Sequence, residues 1–387
     1  MVFSRPVKVC PEKKIRIRKI LLKEKDYYQL EIFRQNQVFQ KNVEPDALQT
    51  ELVPYFTCFR SAECRGLTET LFFLQNNKGR IALTKRVPLE EIPSQSGEHT
   101  QHNKTKISLI PEDRPLAFLI AQGLMNTDGT VLKKKYHKFR QINKFLEFIA
   151  GVEPFIRDYI ARTGLPFPII DFGCGKAYLS FALYYYLHEK QGLPVRIHGL
   201  DLKTDVVAQC ADLAQECGYE HLTFAQGDIA GYSIPEGTGM MVCLHACNTA
   251  TDLALAQAVR QQVPVIFAVP CCQHELYAQL KAHKPSFRDA GRMLLPFMEH
   301  GIITERFASS LTDTVRALLL QASGYTVRIM EFIETEHTPK NILIHAVKKS
   351  LRPAQERQLK EDALTEYRNI KEAFLIEPLL ETMLELE

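Results

Sequence analysis

The sequence predicts an α/β fold, a mostly parallel sheet with helical crossovers, preceded by a smaller, mainly β domain. Three observations carry that prediction. From Pro168 to Val269, short apolar runs alternate regularly with longer helix-like ones, the pattern of repeated strand–helix units. Pro166-Phe-Pro-Ile-Ile170, a strand-like run, meets a helix-like run, Leu179–Leu187, across two glycines, Gly173 and Gly175. Residues 15–43 and 70–84 instead alternate in strand fashion, with turn residues between the runs.

Composition sets the bounds. A chain of 387 residues with 45% apolar and 24% charged residues suits a globular protein of two domains. The N-terminus lacks the apolar run of a secretory signal, and no stretch reaches the roughly 18 apolar residues of a membrane span. Ten cysteines without a regular framework fit a reducing compartment, so a cytoplasmic location with no membrane partner is expected. The net charge of +3 hides an asymmetry. Residues 1–150 hold 26 Lys+Arg against 16 Asp+Glu, whereas residues 151–387 hold 22 against 29. A basic front half points to a polyanionic partner, with RNA the first candidate.

In chain order, the first 92 residues read as a β meander. Lys25-Asp26 and Gln35-Asn36 are expected turns, and Gln75–Gly79 is an expected hairpin loop. Arg16, Arg18, Lys19 and Lys23 decorate this segment, giving an accessory domain suited to RNA binding, packing or dimerisation. Residues 93–108 are polar and pattern-free, a linker. The second domain is expected over 109–350 and an acidic helical tail over 351–387. Lys133-Lys-Lys leads into an amphipathic helix whose Phe139, Ile142, Leu146 and Ile149 form the apolar stripe. Lys138, Gln141 and Lys144 are expected to project elsewhere, and Lys138, Arg140 and Gln141 to guide a phosphate backbone.

The glycine motif reads Asp171-Phe-Gly-Cys-Gly-Lys-Ala-Tyr178. A dinucleotide fingerprint needs a third glycine at the place Tyr178 occupies, which disfavours an NAD enzyme. An acid at the end of the first strand suits a cationic amino acid moiety, as S-adenosylmethionine (SAM) carries. Asp201, ending the second strand, suits ribose hydroxyls. Asp228, after the third, suits an adenine amino group, with Ile229 against the ring. Each aspartate has a plainer reading as a turn former or helix cap. The fourth and fifth strands, near 240–244 and 263–269, end at His245-Ala-Cys-Asn248 and Pro270-Cys-Cys-Gln-His274. Asn248 or Thr249 would cap the following helix. Thr326–Ile333 and Asn341–Val347 form a closing antiparallel pair joined through 334–340. Together these give a Rossmann-like, seven-stranded sheet in the layout of class I methyltransferases.

Catalytic candidates are His245, Asn248, Cys271, Cys272 and His274, with either histidine able to act as a base near neutrality. The Cys/His set also admits a zinc reading, but adjacent cysteines chelate poorly and no metal is expected. A thiolate adding to a pyrimidine ring, and plain packing, are the other two readings. The absence of Asn/Asp-Pro-Pro-aromatic after strand four argues against an exocyclic-amine acceptor.

Across Asp171–Lys176, Leu244–Asp252 and Pro270–His274, with Lys138–Asn143 and Glu336–Asn341, the sequence resembles a known methyltransferase family. Its members include bacterial SAM-dependent enzymes and the eukaryotic enzyme that 2′-O-methylates the tRNA acceptor stem. The resemblance covers roughly residues 100–350. It implies SAM as cofactor, bound by Asp171, Gly173, Cys174, Gly175, Asp201, Leu202, Asp228, Ile229 and His245, and an active site around His245 and residues 270–274. Ala177 stands where the family usually has glycine, a change expected to cost little because alanine is small. Asn248 stands where it often has aspartate. The expected function is methylation of structured RNA, tRNA or rRNA. A protein methyltransferase and a non-catalytic SAM- or RNA-binding module are the alternatives.

Overall fold

The computed structural model describes the chain except residues 8–9, 23–24, 36, 66–69, 77–79, 87–107, 245, 247, 271, 284–294, 333–341, 349–351 and 386–387. It divides into two compact units, Met1–Ile107 and Ser108–Glu387. The expected linker (apart from Ser108), the tip of the 75–79 hairpin, the 334–340 connection and Lys23 lie outside the described residues.

Among the described residues, the first unit is a seven-stranded antiparallel sheet with one α-helix. Its strands are β1 (Val2–Pro6), β2 (Glu12–Leu22), β3 (Lys25–Arg34), β4 (Gln37–Val43), β5 (Phe59–Arg65), β6 (Thr70–Gln75) and β7 (Ile81–Arg86). They run in the order β4-β3-β2-β1-β5-β6-β7. Lys25 and Asp26 belong to β3, paired with Leu22 and Leu21, so they extend the strand rather than form the expected turn. Helix α1 (Leu48–Cys58) has no counterpart in the sequence reading, because Pro54 interrupts its pattern. Phe56 packs edge-on against Phe3 and Phe73, over a core that includes Ile15, Ile17, Leu30 and Phe59.

The expected basic surface here is largely neutralised. Arg16 and Arg18 both reach Glu31, at 3.5 and 3.2 Å. Lys19 pairs with Asp26, Arg34 with Glu12 and Lys41 with Glu51, each within 2.7 Å. Cross-strand pairing explains this, because facing positions of β2 and β3 alternate basic with acidic or amide.

The second unit holds the other seven strands: β8 (Phe167–Phe172), β9 (Val195–Asp201), β10 (Leu222–Gln226), β11 (Met240–Cys243), β12 (Val265–Ala268), β13 (Thr326–Glu331) and β14 (Ile342–Val347). Their order is β10-β9-β8-β11-β12-β14-β13. The first five run parallel, and β14 is antiparallel to both neighbours. This is the expected layout, with the order reversing between β8 and β11. Successive residues feed opposite faces: Ile169, Met240 and Phe267 join one core, Ile170, Met241 and Ala268 the other. Strands covered on both faces read as continuous apolar runs, which is why they were legible.

Helices α2 (Ala117–Ala121), α3 (Tyr136–Ala150), α4 (Glu153–Thr163), α5 (Tyr178–Tyr184) and α6 (Thr204–Glu216) precede β10 in the chain. Phe118, Phe139, Phe145, Ile156, Phe181 and Cys210 carry these five elements into the first core. Helices α7 (Thr249–Arg260) and α8 (His274–Ala282), with the longer Gly301–Ala322 helix, serve the second core. The C-terminal helices, Pro353–Phe374 and Leu379–Leu384, insert Tyr367 and Leu380 into that core, with Ile376 between them. The segment therefore docks rather than trailing free.

One buried cation ties the crossovers together. Arg316, on the 301–322 helix and 1% exposed, grips Asp252 of α7 through two bonds of 2.8 and 2.7 Å. It also reaches Asp313 at 3.2 Å and the Asn248 carbonyl at 3.1 Å. Asp313, pushed up to about 6 by burial and held down by the guanidinium, accepts a bond from Gln273 in the loop after β12. One guanidinium thus joins the loops following β11 and β12. Removing one member of such a cluster leaves buried charge uncompensated and costs about 3–5 kcal/mol. Arg316→Met is therefore expected to lower the denaturant midpoint by that equivalent, measured by urea titration of far-UV circular dichroism.

Candidate functional site

The reversal point of the sheet, outside the carboxyl ends of β8 and β11, is where parallel α/β sheets bind ligands. There the 173–177 loop is folded back on β9. The Gly173 and Cys174 N–H groups donate to the Leu200 carbonyl at 2.8 and 3.1 Å. The Gly175 N–H donates to Asp201 Oδ2 at 2.9 Å. Both glycines take positive φ, 67° and 52°, which explains their presence in this turn. Ala177 takes φ 52° as well. Its departure from glycine thus costs backbone strain of about 1 kcal/mol, and the small size of alanine does not remove that.

The three strand-tip acids stand on adjacent strands. Asp171 is 5% exposed and accepts from Ser180 Oγ at 2.5 Å. Burial, with a smaller push from Asp201, raises it to about 7 against the pull of Ser180. Asp201 also accepts from the Lys203 N–H at 3.1 Å. Asp228 is exposed and accepts from the Ala230 N–H at 3.0 Å, and the neighbouring Gly227 N–H bonds the Asp201 carbonyl at 3.0 Å. Ile229 is buried in the second core, whereas Leu202 is 65% exposed beside Asp201. Of these two expected apolar contacts, Leu202 is thus open to solvent and Ile229 is packed against the core.

A cleft of about 230 Å³ lies over the loop, lined by Lys138, Asp171, Gly173, Cys174, Gly175, Lys176, Tyr178, Leu179 and Leu244. Cys174 is a buried thiol raised far above its usual range by burial, so it lines the cleft as a neutral group. Two acceptor-side expectations change here. Gln141 is 8% exposed on the packed face of α3, because it sits beside Ile142 and Phe145 in the turn that meets the core, so it is not a surface contact. Lys138 turns into the cleft, its ammonium 5.3 Å over the Tyr178 ring. Arg140 is exposed.

Among the catalytic candidates, His245 and Cys271 lie outside the described residues, as does Cys247. Asn248 has φ 52° and ψ −124° and leaves α7 uncapped by its side chain. Its Oδ1 instead accepts the His274 and Glu275 backbone N–H groups at 3.0 and 3.2 Å, capping α8 from another loop. That commitment of Oδ1 corrects the α7-capping expectation. His274 is exposed and Cys272 half-buried. Gln273, absent from the sequence reading, aims its amide nitrogen at Pro270 O and Asp313, so its buried Oε1 has no partner among the described residues. Arg316 was also missed, since nothing local in the sequence ties it to residues 64 positions away.

Comparison with known proteins agrees with this geometry. Residues 137–279 match a family model described as a methyltransferase domain. The Glutathione S-transferase C-terminal domain-containing protein of Xenopus laevis is 24% identical over 255 residues, 60% of this chain and 37% of that protein. Its Homo sapiens counterpart is 24% identical over 200 residues, 46% of this chain and 30% of that one. The chain thus spans about a third of the length of the curated relatives it matches. A Podospora anserina methyltransferase solved with S-adenosylhomocysteine (SAH) aligns with TM-score 0.33 and 12% identity, over 61% of this chain and 89% of that one. The Synechocystis magnesium protoporphyrin IX methyltransferase gives 0.29 and 16%, over 55% and 87%. Such scores carry no argument; what stands is the strand order, which is that of the class I methyltransferase sheet, and the match of residues 137–279 to the methyltransferase-domain model. No helix among the described residues is long and apolar enough to cross a membrane.

Asp171 makes a pH prediction for the ligand-free protein. Its folded value, about 7, exceeds the ordinary carboxyl value of 3.8. The folded state therefore holds this proton more tightly, and stability is lost as pH rises from about 4 through about 7. Asp171→Asn is expected to flatten that part of the profile relative to wild type, read from thermal midpoints across the range.

Proposed function

We propose that this chain methylates structured RNA, with tRNA or rRNA as acceptor and SAM as donor. The donor site suits SAM on observations of this structure. Asp171 is a buried carboxylate with a hydroxyl partner but no cation in ion-pair reach among the described residues, which suits a cationic ligand group. Asp201 holds the glycine loop through the Gly175 N–H and would take the ribose hydroxyls, with the exposed Leu202 as apolar surface and Asp228 at the next strand tip to take the adenine amine. When bound, SAM supplies an electrophilic methyl group on a sulfonium. The chain's part is to hold the donor, orient the acceptor and take its proton.

The observation that carries the RNA reading is a basic approach to the cleft within one unit. Lys133, Lys134 and Lys135 are all exposed on a short 3-10 turn leading directly into α3. The first turns of that same helix carry His137, Lys138 and Arg140, and Lys138 reaches the cleft. A run of cations ending at a donor site suits a phosphate backbone better than a small neutral acceptor. Taken by itself, the first unit also has a basic excess, with 19 Lys+Arg against 12 Asp+Glu over residues 1–107. Its surface ion pairs are individually weak and can be exchanged for phosphate contacts. The resemblance to the acceptor-stem enzyme makes a tRNA 2′-hydroxyl the first acceptor to test.

Replacing Lys133, Lys134 and Lys135 together by Glu is expected to weaken binding of unmodified tRNA transcripts and to reduce the salt slope of log K by about 2–3. An unchanged slope would remove RNA from the site. Mass mapping of RNA from a deletion strain identifies the methylated nucleotide, and a ribosomal protein methylated in its place would turn the reading to protein. Asp201→Ala is expected to weaken SAM binding at least tenfold by calorimetry, because it removes the ribose acceptor and releases the Gly175 amide.

A further inference from the structure

We propose that Lys138 serves the donor rather than the acceptor: its ammonium receives the methionine carboxylate of SAM in the cleft where Asp171 receives the methionine amine. The inference deepens the donor reading above and rests on it.

The geometry sets two opposite charges on the wall of one small cleft. Lys138 rises from the first turn of α3, and its side chain lines the cleft together with Asp171, Gly173, Gly175 and Leu244. Its position is fixed by the Tyr178 ring, 5.3 Å beneath the ammonium, at the start of α5. A cation over an aromatic face is held in place while its outer hydrogens stay free to donate. No carboxylate among the described residues lies within ion-pair distance of Lys138.

Nor do the two charges compensate each other. Burial alone lowers Lys138 from its ordinary value. Asp171 is perturbed by burial, Ser180 and Asp201, and not by Lys138. The cleft therefore holds a partly desolvated lysine and a desolvated acid, neither paired with an opposite charge among the described residues. A polyanion would answer the first and be repelled by the second. A zwitterionic α-amino acid answers both, placing its carboxylate on the lysine and its ammonium by the aspartate. SAM and SAH carry that group, and about 230 Å³ suits the methionine end of such a ligand rather than a strand of RNA. The exposed Lys133–Lys135 run remains the acceptor's approach, and Lys138 marks where it stops.

The test uses the full chain and calorimetry with three ligands: SAM, SAH and decarboxylated SAM, which lacks only the carboxylate. Wild type is expected to bind decarboxylated SAM about ten- to a hundredfold more weakly than SAM, the range of one charge-assisted bond. Lys138→Met keeps the apolar stem. It is expected to weaken SAM and SAH by a similar factor and to bind SAM and its decarboxylated form alike. Lys138→Arg restores most of the discrimination. If wild type binds SAM and its decarboxylated form equally, the proposal falls, whether or not any variant folds. It falls equally if Lys138→Met keeps wild-type discrimination while losing tRNA affinity, which returns the lysine to the acceptor. If wild type binds neither SAM nor SAH, the donor reading itself is lost and this proposal with it.

Discussion

A carboxylate is held inside the protein at the point where the sheet reverses order, and no cation among the described residues is paired with it. Asp171 has a serine hydroxyl for company and a second acid nearby, and both burial and that acid favour its neutral form. Such a group is unfavourable in the free protein and becomes favourable when a positive ligand arrives. The glycine turn, the ring beneath Lys138 and the strand-tip acids are arranged around that requirement. A methyl donor bearing an ammonium and a sulfonium meets it.

The parts of this arrangement that follow from neighbouring residues were legible in the sequence. Buried parallel strands are short apolar runs, and Asp171, Asp201 and Asp228 fall at their ends by simple counting. The Rossmann-like sheet and its closing antiparallel pair follow from the same count. Other features depend on residues far apart in the chain, and periodicity is blind to them. Gln141 has a polar name but lies on the packed face of α3. Ala177 looks harmless until its backbone is seen to be left-handed. Helix α1 was hidden by Pro54, and the charge count of the first unit was offset by acids directly across the strands.

The loops after β11 and β12 are organised by a different device. Arg316 lies behind the loops that follow β11 and β12 and bonds groups on both sides of it. Burying a guanidinium between two carboxylates adds little net stability compared with apolar packing, but it fixes relative position closely. The donor side is fixed differently, by backbone bonds from the glycine turn to β9. One half of the site is thus held by charge and the other by main-chain geometry.

Asn248 lends its side-chain oxygen to the first turn of α8, a helix that begins 26 residues later. A loop from one strand therefore serves as the missing end of a helix belonging to the next. If the segment after β11 shifts to admit a substrate, the start of α8 must follow or lose its terminator. The loops after β11 and β12 are thus tied to each other at Asn248 by a side chain as well as through Arg316.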